Sequence, residues 1–343
     1  MPAVSQRAFR RLSIATTVGV TLMVLSGEAV RLTGSGLGCS DWPTCYHHRV
    51  LAQLSFHPLV EFGNRLLIVF VTVVIGVTFL AALLRRPKRA DLVWLSAGLV
   101  AGTILQALLG ALVVYSKLNP YLVMLHFLAS MPLVVDAVVL LHRSNRDYSR
   151  RSGTLLVPTT VRHLVNLGIV LLGFVLIAGS ATTGTTPQAG GAPGQLVAKR
   201  IPVELRSMAQ LHADFALFLV GFTLALVVAL HALDVPERVK KAGRVLVVVL
   251  AAQAVIGYTQ YFTHLPPLLV ELHVVGATSL VIGFVHFSLS LTHHPIEPVL
   301  QGSFERDNVA ASRVAASPAT ASSVEGPADG AKLPEMAKTT ISS

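Results

Sequence analysis

Apolar residues follow one another along this chain in eight long runs that short polar segments separate. Each run approaches the roughly 20 residues that an α-helix needs to cross a hydrocarbon core about 30 Å thick. A backbone in lipid must satisfy its own hydrogen bonds, so such runs predict helices rather than open strands. The predicted spans are 12–30, 60–84, 92–115, 121–141, 161–181, 208–233, 245–262 and 268–291. The pattern therefore predicts an all-α integral membrane protein.

Composition supports this interpretation and removes one competing class. Charged residues make up 13% of the chain, where ordinary soluble proteins have roughly 25%. The formal net charge of +10 is concentrated in the loops after the second, fourth and sixth spans. Lys and Arg in short loops mark the cytoplasmic side of a membrane. The charge therefore predicts both termini in the cytoplasm, contact with membrane lipid in the cell membrane, and no nucleic-acid partner.

Two segments of the chain match each other. Residues 106–126 read QALLGALVVYSKLNPYLVMLH and residues 253–273 read QAVIGYTQYFTHLPPLLVELH. A shared apolar bias would not align a Gln, a Gly, a Pro and a His in both. The match predicts two tandem four-helix bundles, residues 1–150 and 151–300, related by an axis along the membrane normal. Residues 301–343, rich in Ala, Ser, Pro and charge, are predicted to be a disordered cytoplasmic tail.

Histidines within the spans are the first candidate for chemistry, because ionisable residues in a membrane are costly and usually functional. His126 and His273 end the two matched segments, and Asn64 and His212 begin the second and sixth spans at a similar depth. Two imidazoles from neighbouring helices can hold haem iron, and a bundle core offers the apolar slot that the macrocycle requires. His212 and His273 are therefore predicted to bind haem iron. The alternative is that they are packed, hydrogen-bonded residues.

Cys39 and Cys45 lie in the first loop, which the charge pattern places outside the cytoplasm. Cysteines there can oxidise, so a disulfide is favoured. A metal site that also uses His47 and His48 is the alternative.

Two stretches now resemble a known family. GEAVRLTGSGLGCSDWPTC at the first outer loop and EFGNR at 61–65 are similar to motifs of the haem A synthase family, and the resemblance covers about residues 10–295. It implies a two-haem oxidoreductase. The second half would hold haem b through His212 and His273. The first half would bind haem O, with His126 on its iron, and would oxidise a ring methyl to a formyl group, giving haem A for terminal oxidases.

The resemblance also implies roles for two further residues and departs at a third. Glu61 would act in catalysis, and a partly desolvated carboxylate suits proton transfer; the alternative is an ion pair with Arg65. Arg31 would pair with a haem propionate, or extend to the membrane interface. Asn64 stands where the family motif has a His, which leaves His126 as the one substrate ligand. His57 could replace the missing ligand but is predicted to lie in the loop.

Other features stay open at this stage. A membrane b-type cytochrome that only relays electrons would need the same His212–His273 pair, and is the alternative function. Gln106 and Gln253 are predicted to bridge helices, and Asp136 has no assigned role. A haem O synthase is a candidate partner. The sequence does not identify the electron acceptor.

Overall fold

Eight long helices form the bundle that the computed structural model describes, over residues 4–45, 51–145, 153–186 and 199–293. Each is long and apolar enough to cross a membrane, so this is a multi-pass membrane protein, as predicted. The helices are α1 (Gln6–Leu32), α2 (Phe56–Leu84), α3 (Ala90–Tyr115), α4 (Pro120–Arg143), α5 (Thr159–Thr185), α6 (Leu205–His231), α7 (Glu237–Phe262) and α8 (Pro267–Ser290). The predicted tail, 301–343, lies outside the described residues, as do His47 and His48.

Several helices begin earlier than the apolar runs. α1 begins at Gln6, where the Ser5 hydroxyl accepts a hydrogen bond from the Ala8 N–H at 3.2 Å, and α7 begins at Glu237. α2 begins at Phe56, so the prediction that His57 lies in the loop is wrong. Polar residues can extend a helix beyond the hydrocarbon core because water satisfies the first turn. Hydropathy therefore locates the membrane-spanning part and misses the ends.

Each predicted half forms a ring of four contacting helices. In the first half, α1 and α3 each pack against both α2 and α4, and in the second half α5 and α7 each pack against both α6 and α8. The rings meet where α4 contacts α8, flanked by contacts of α1 with α8 and of α4 with α5. Two short antiparallel strands, β1 (Thr154–Leu155) and β2 (Thr292–His293), join the start of α5 to the end of α8.

Hydroxyl groups bridge helices inside the bundle, while large apolar side chains cover its outside. The Thr16 and Thr78 hydroxyls lie 2.9 Å apart, and the Thr17 hydroxyl donates to the Ala137 carbonyl at 3.0 Å. Exposed large apolar residues include Phe70, with 66% of its surface exposed. An apolar exterior of this kind is stable only against lipid.

The turns between α3 and α4 and between α7 and α8 have the same backbone. Lys117 and Leu118 have φ of 57° and 61°, and the matched His264 and Leu265 have φ of 65° and 60°. Each second residue donates its N–H back to a helix carbonyl, Leu118 to Val113 at 2.9 Å and Leu265 to Gln260 at 2.7 Å. Left-handed φ at residues other than Gly is uncommon. Its recurrence at both turns supports the predicted duplication.

Candidate functional site

The two histidines of the second half face each other. His212 on α6 and His273 on α8 have ring centroids 6.1 Å apart and ring planes at 82°. An iron ion between two imidazoles, with metal–nitrogen bonds of about 2 Å, needs centroids roughly 6 Å apart. The spacing of the rings therefore fits axial ligation of iron.

Glycines leave the space that these imidazoles occupy. A Cβ at Gly179 would lie 2.8 Å from the His212 Cε1, and a Cβ at Gly257 would lie 3.1 Å from the His273 Cε1. Any larger residue would displace the rings. The Gly residues at these positions thus help to set where the imidazoles point.

One hydrogen bond orients the His212 ring, and another holds the backbone of His273. The His212 Nδ1 lies 3.1 Å from the Val175 carbonyl oxygen, and an N–H donated there leaves Nε2 with a lone pair for a metal. The Gln253 amide donates to the His273 carbonyl at 2.9 Å. Donation by a Gln side chain to the neighbouring helix confirms the predicted bridging role.

A cavity of about 400 Å³ surrounds the pair, a volume in the range of cofactor sites. Most of its wall is apolar, with Tyr258 and Tyr261 from α7. Three basic side chains also line it: Arg31 from the first half, and Lys199 and Arg206 from the second. The wall thus combines an apolar interior with cations that suit carboxylate groups.

Arg31 lies in this wall beside an acidic neighbour that the sequence analysis missed. Glu28, one turn earlier on α1, forms an ion pair with Arg31, and Nε of Arg31 lies 3.0 Å from both carboxylate oxygens. Glu28 also lines the cavity. Glu271 on α8 interacts electrostatically with both. The (i, i+3) spacing of Glu28 and Arg31 was the available signal.

The first half has His126, a half-buried histidine, at the matched position. The His126 Nδ1 is buried and has no hydrogen-bond partner within the described residues, and the Gln106 amide donates to the His126 carbonyl at 3.3 Å. A Cβ at Gly110 would lie 3.7 Å from the His126 Cε1. Asn64 on α2 accepts a hydrogen bond from the Ser26 hydroxyl at 2.7 Å.

Glu61 connects α2 to the outer loop. One carboxylate oxygen lies 2.6 Å from the guanidinium of Arg65, and the other accepts a hydrogen bond from the Cys39 N–H at 2.7 Å. Arg65 donates in turn to the carbonyls of Asp41 and Thr44, both at 2.8 Å. The ion pair that was the alternative for Glu61 is therefore present, and it anchors the loop to the helix.

The loop that Glu61 and Arg65 hold contains the predicted disulfide. Cys39 and Cys45 are bonded with an S–S distance of 1.99 Å and are both buried. The cysteines are therefore not metal ligands. The His57 Nδ1, in the first turn of α2, lies 3.1 Å from the Ser35 hydroxyl, so His57 also contacts this loop.

Comparison with known proteins assigns this arrangement to a family. A family model described as COX15-CtaA, cytochrome oxidase assembly protein, matches residues 10–285. The chain belongs to the COX15-CtaA family.

Curated relatives are similar over shorter stretches. A heme A synthase of Bacillus licheniformis is 28% identical over 178 residues, 50% of this chain and 57% of the relative. A heme A synthase of Bacillus pumilus is 33% identical over 136 residues, 39% of this chain and 43% of the relative. One of Geobacillus kaustophilus is 33% identical over 113 residues, 32% of this chain and 34% of the relative. The chain thus spans between about a third and about three fifths of these relatives.

Within this COX15-CtaA chain, no group of three or more His, Cys, Asp or Glu side chains in the described residues could hold a bare metal ion. Two imidazoles supply only two ligands. A metal at His212 and His273 therefore needs further donors, which the four nitrogens of a porphyrin provide.

Proposed function

We propose that this chain is a haem A synthase, an oxidoreductase that converts a ring methyl of haem O to a formyl group and yields haem A for terminal oxidases. Family membership and the names of the similar relatives support this proposal. The 6.1 Å spacing of His212 and His273 is the structural observation that carries the haem-binding part of it.

The second-half cavity is the proposed site of haem b. His212 and His273 would hold the iron, and the apolar wall would pack against the macrocycle. Arg31, Lys199 and Arg206 would bind the propionates, because a guanidinium pairs well with a carboxylate. Haem bound there supplies one-electron redox chemistry. Arg31 would then contact the cofactor in the second half rather than the substrate in the first.

The first half is the proposed substrate site. His126 would ligate the iron of haem O, since it matches His273 in the repeat and Gly110 leaves room beside the ring. Asn64 would position α2 against α1 through Ser26 rather than bind iron, because a carboxamide is a poor iron ligand. A single axial ligand suits a substrate that must enter and leave.

Glu61 would have two roles at this site. Its contacts with Arg65 and Cys39 hold the disulfide loop in place. Its position on the same face of α2 as Asn64, one turn away, would place a carboxylate beside the substrate for proton transfer. The proposed topology puts this site on the outer side of the cell membrane, with both termini in the cytoplasm.

The direct test is co-expression with a haem O producer, followed by haem extraction and chromatography. We expect a formyl-bearing haem from the wild-type chain, and none from Glu61→Ala. His231→Ala, at the cytoplasmic end of α6, is the control and should behave as wild type. A folded, haem-loaded wild-type protein that yields no formyl-bearing haem would refute the proposal.

A b-type cytochrome that only relays electrons is the competing function, since the histidine pair alone would serve it. It would leave haem O unchanged, and Glu61→Ala would leave its redox reaction intact. A pyridine haemochrome spectrum of Asn64→His and of His126→Ala separates the two sites. A synthase should lose bound haem O with His126→Ala while it retains haem b, whereas a relay should show one haem throughout.

A further inference from the structure

Asp136 is an ionisable residue in a membrane span that neither proposed haem site uses. It lies on α4, about two turns before Arg143, with which it interacts electrostatically. Its Oδ1 is buried and has no hydrogen-bond partner within the described residues. Its Oδ2 lies 2.7 Å from the point that a Cβ at Gly98 would occupy. The carboxyl is thus accommodated by a Gly on α3 but left with an unpaired oxygen.

Asp136 is one of the residues that line a second cavity, of about 530 Å³. Side chains of α3, α4, α5 and α8 form its wall, and Asp136 is the one ionisable residue among the described residues that line it. An acyl chain of a lipid could fill the apolar part but would leave the carboxyl oxygen unpaired, which is unfavourable in a low-dielectric interior. The site therefore suits a ligand that is apolar and has a hydrogen-bonding group.

The cavity opens at the seam where α4 meets α5. Pro132 and Ile169, at its rim, are exposed on the surface of the bundle. In a membrane that surface faces the hydrocarbon core, so a ligand can enter from the bilayer. A lipid-soluble molecule has access, and a water-soluble one does not.

The second cavity adjoins the cavity of the histidine pair. Leu172 and Leu176 on α5 line both. The two leucines therefore form a wall that the two cavities share. This adjacency suits electron exchange between the two cavities.

We propose that the cavity around Asp136 binds a quinone, which accepts the electrons of the proposed oxidation. A protonated Asp136 donates a hydrogen bond to a quinone carbonyl, and an ionised Asp136 accepts one from the quinol. With water as the oxygen donor, R–CH₃ + H₂O becomes R–CHO with release of four electrons and four protons. Two quinones take these up and leave as two quinols. This site rests on the proposed function, which requires an electron acceptor.

The test uses the purified, haem-loaded full chain in quinone-free phosphatidylcholine nanodiscs. The haem is reduced with stoichiometric dithionite and mixed without oxygen with decylubiquinone, and haem reoxidation is followed by stopped-flow absorbance. We expect a rate that saturates with quinone concentration. Asp136→Asn and Gly98→Ala should each lower this reoxidation rate by about tenfold or more. The first substitution removes the ionisable group, and the second displaces it. Asp234→Asn, in the exposed loop between α6 and α7, is the matched control and should react as wild type.

The haem spectrum and midpoint potential must stay unchanged in the variants, which shows that the histidine cavity is intact. Reoxidation that does not saturate in the wild type, or that is equally fast in Asp136→Asn, would overturn the site. Failure of the proposed function is a separate result. Saturable, Asp136-dependent reoxidation in a chain that makes no haem A would leave the quinone site standing without the synthase. Haem A formation with no dependence on Asp136 would remove the quinone site alone.

Discussion

At the level where the second half places His212 opposite His273, the first half places Asn64 on α2 and His126 on α4. The surroundings of the two matched histidines are alike: a Gln from the preceding helix donates to each histidine carbonyl, and a Gly leaves room for each ring. The facing helices differ. Ala209 and Ala213 flank His212 where Glu61 and Arg65 flank Asn64.

The difference lies in what the helix opposite each matched histidine presents. The second half retains a pair of imidazoles and has no charged anchor on α6 at these positions. At the matched positions the first half has one imidazole, and Glu61 and Arg65 on α2 bind the outer loop. This difference supports the proposal of a cofactor site in the second half and a substrate site in the first.

The largest effect is expected from the matched histidines. His273→Ala should strongly lower the haem b content of the purified protein, because it removes one of the two axial ligands. His126→Ala, the same substitution at the matched position, should leave haem b at the wild-type level. Pyridine haemochrome spectra of the purified variants measure both. Equal losses from the two variants would mean that the halves do not have separate roles.

The second effect concerns the anchor that only the first half has. Glu61→Ala should destabilise the protein by about 3–5 kcal/mol, because it leaves the partly buried Arg65 guanidinium without its carboxylate. Unfolding of the detergent-solubilised protein by added denaturing detergent would measure it. Glu237→Ala, which breaks a largely exposed pair with Arg244, is the control and should have little effect. Comparable stabilities of the two variants would show that the Glu61 anchor contributes little.

The third effect tests the space beside each imidazole. Gly257→Ala should weaken haem b binding by about tenfold, since its Cβ would lie 3.1 Å from the His273 Cε1 and would move the ring off axis. Gly110→Ala should be tolerated, because its Cβ would meet the His126 Cε1 at an ordinary 3.7 Å. Haem titration of the apoprotein gives both affinities. A stronger effect from Gly110→Ala would contradict the geometry.

The smallest effect is expected where the first half lacks a ligand. Asn64→Ala should cost about 1 kcal/mol of stability through loss of the Ser26 hydrogen bond and should leave haem b unchanged. His212→Ala, at the corresponding position of α6, should instead remove haem b. The same denaturation and spectral measurements apply. Loss of haem b in Asn64→Ala would show that α2 contributes to the second-half cavity.

Much of the site could be predicted because the repeat identified it. The Gln-to-His match aligned His126 with His273, and the structure gives the two matched Gln side chains the same hydrogen bond. Three features could not be predicted. Arg31 lies on the wall of the second-half cavity, Gly179 leaves the space for His212, and Asp136 borders a second cavity. Each depends on which helix packs beside it and on how that helix is rotated. The sequence of a single span contains neither kind of information.

The sequence by itself determined the number of membrane spans and their identity as helices, and it predicted their division into two related halves. These follow from local hydropathy and from internal similarity, because lipid leaves a spanning backbone few choices. Only the tertiary structure decided which side chains converge. Three features depend on packing between segments that are far apart in the chain. They are the 6.1 Å approach of the two imidazoles, the contact of Glu61 with the disulfide loop, and the wall that the two cavities share. Such packing is set by side-chain fit across the whole bundle.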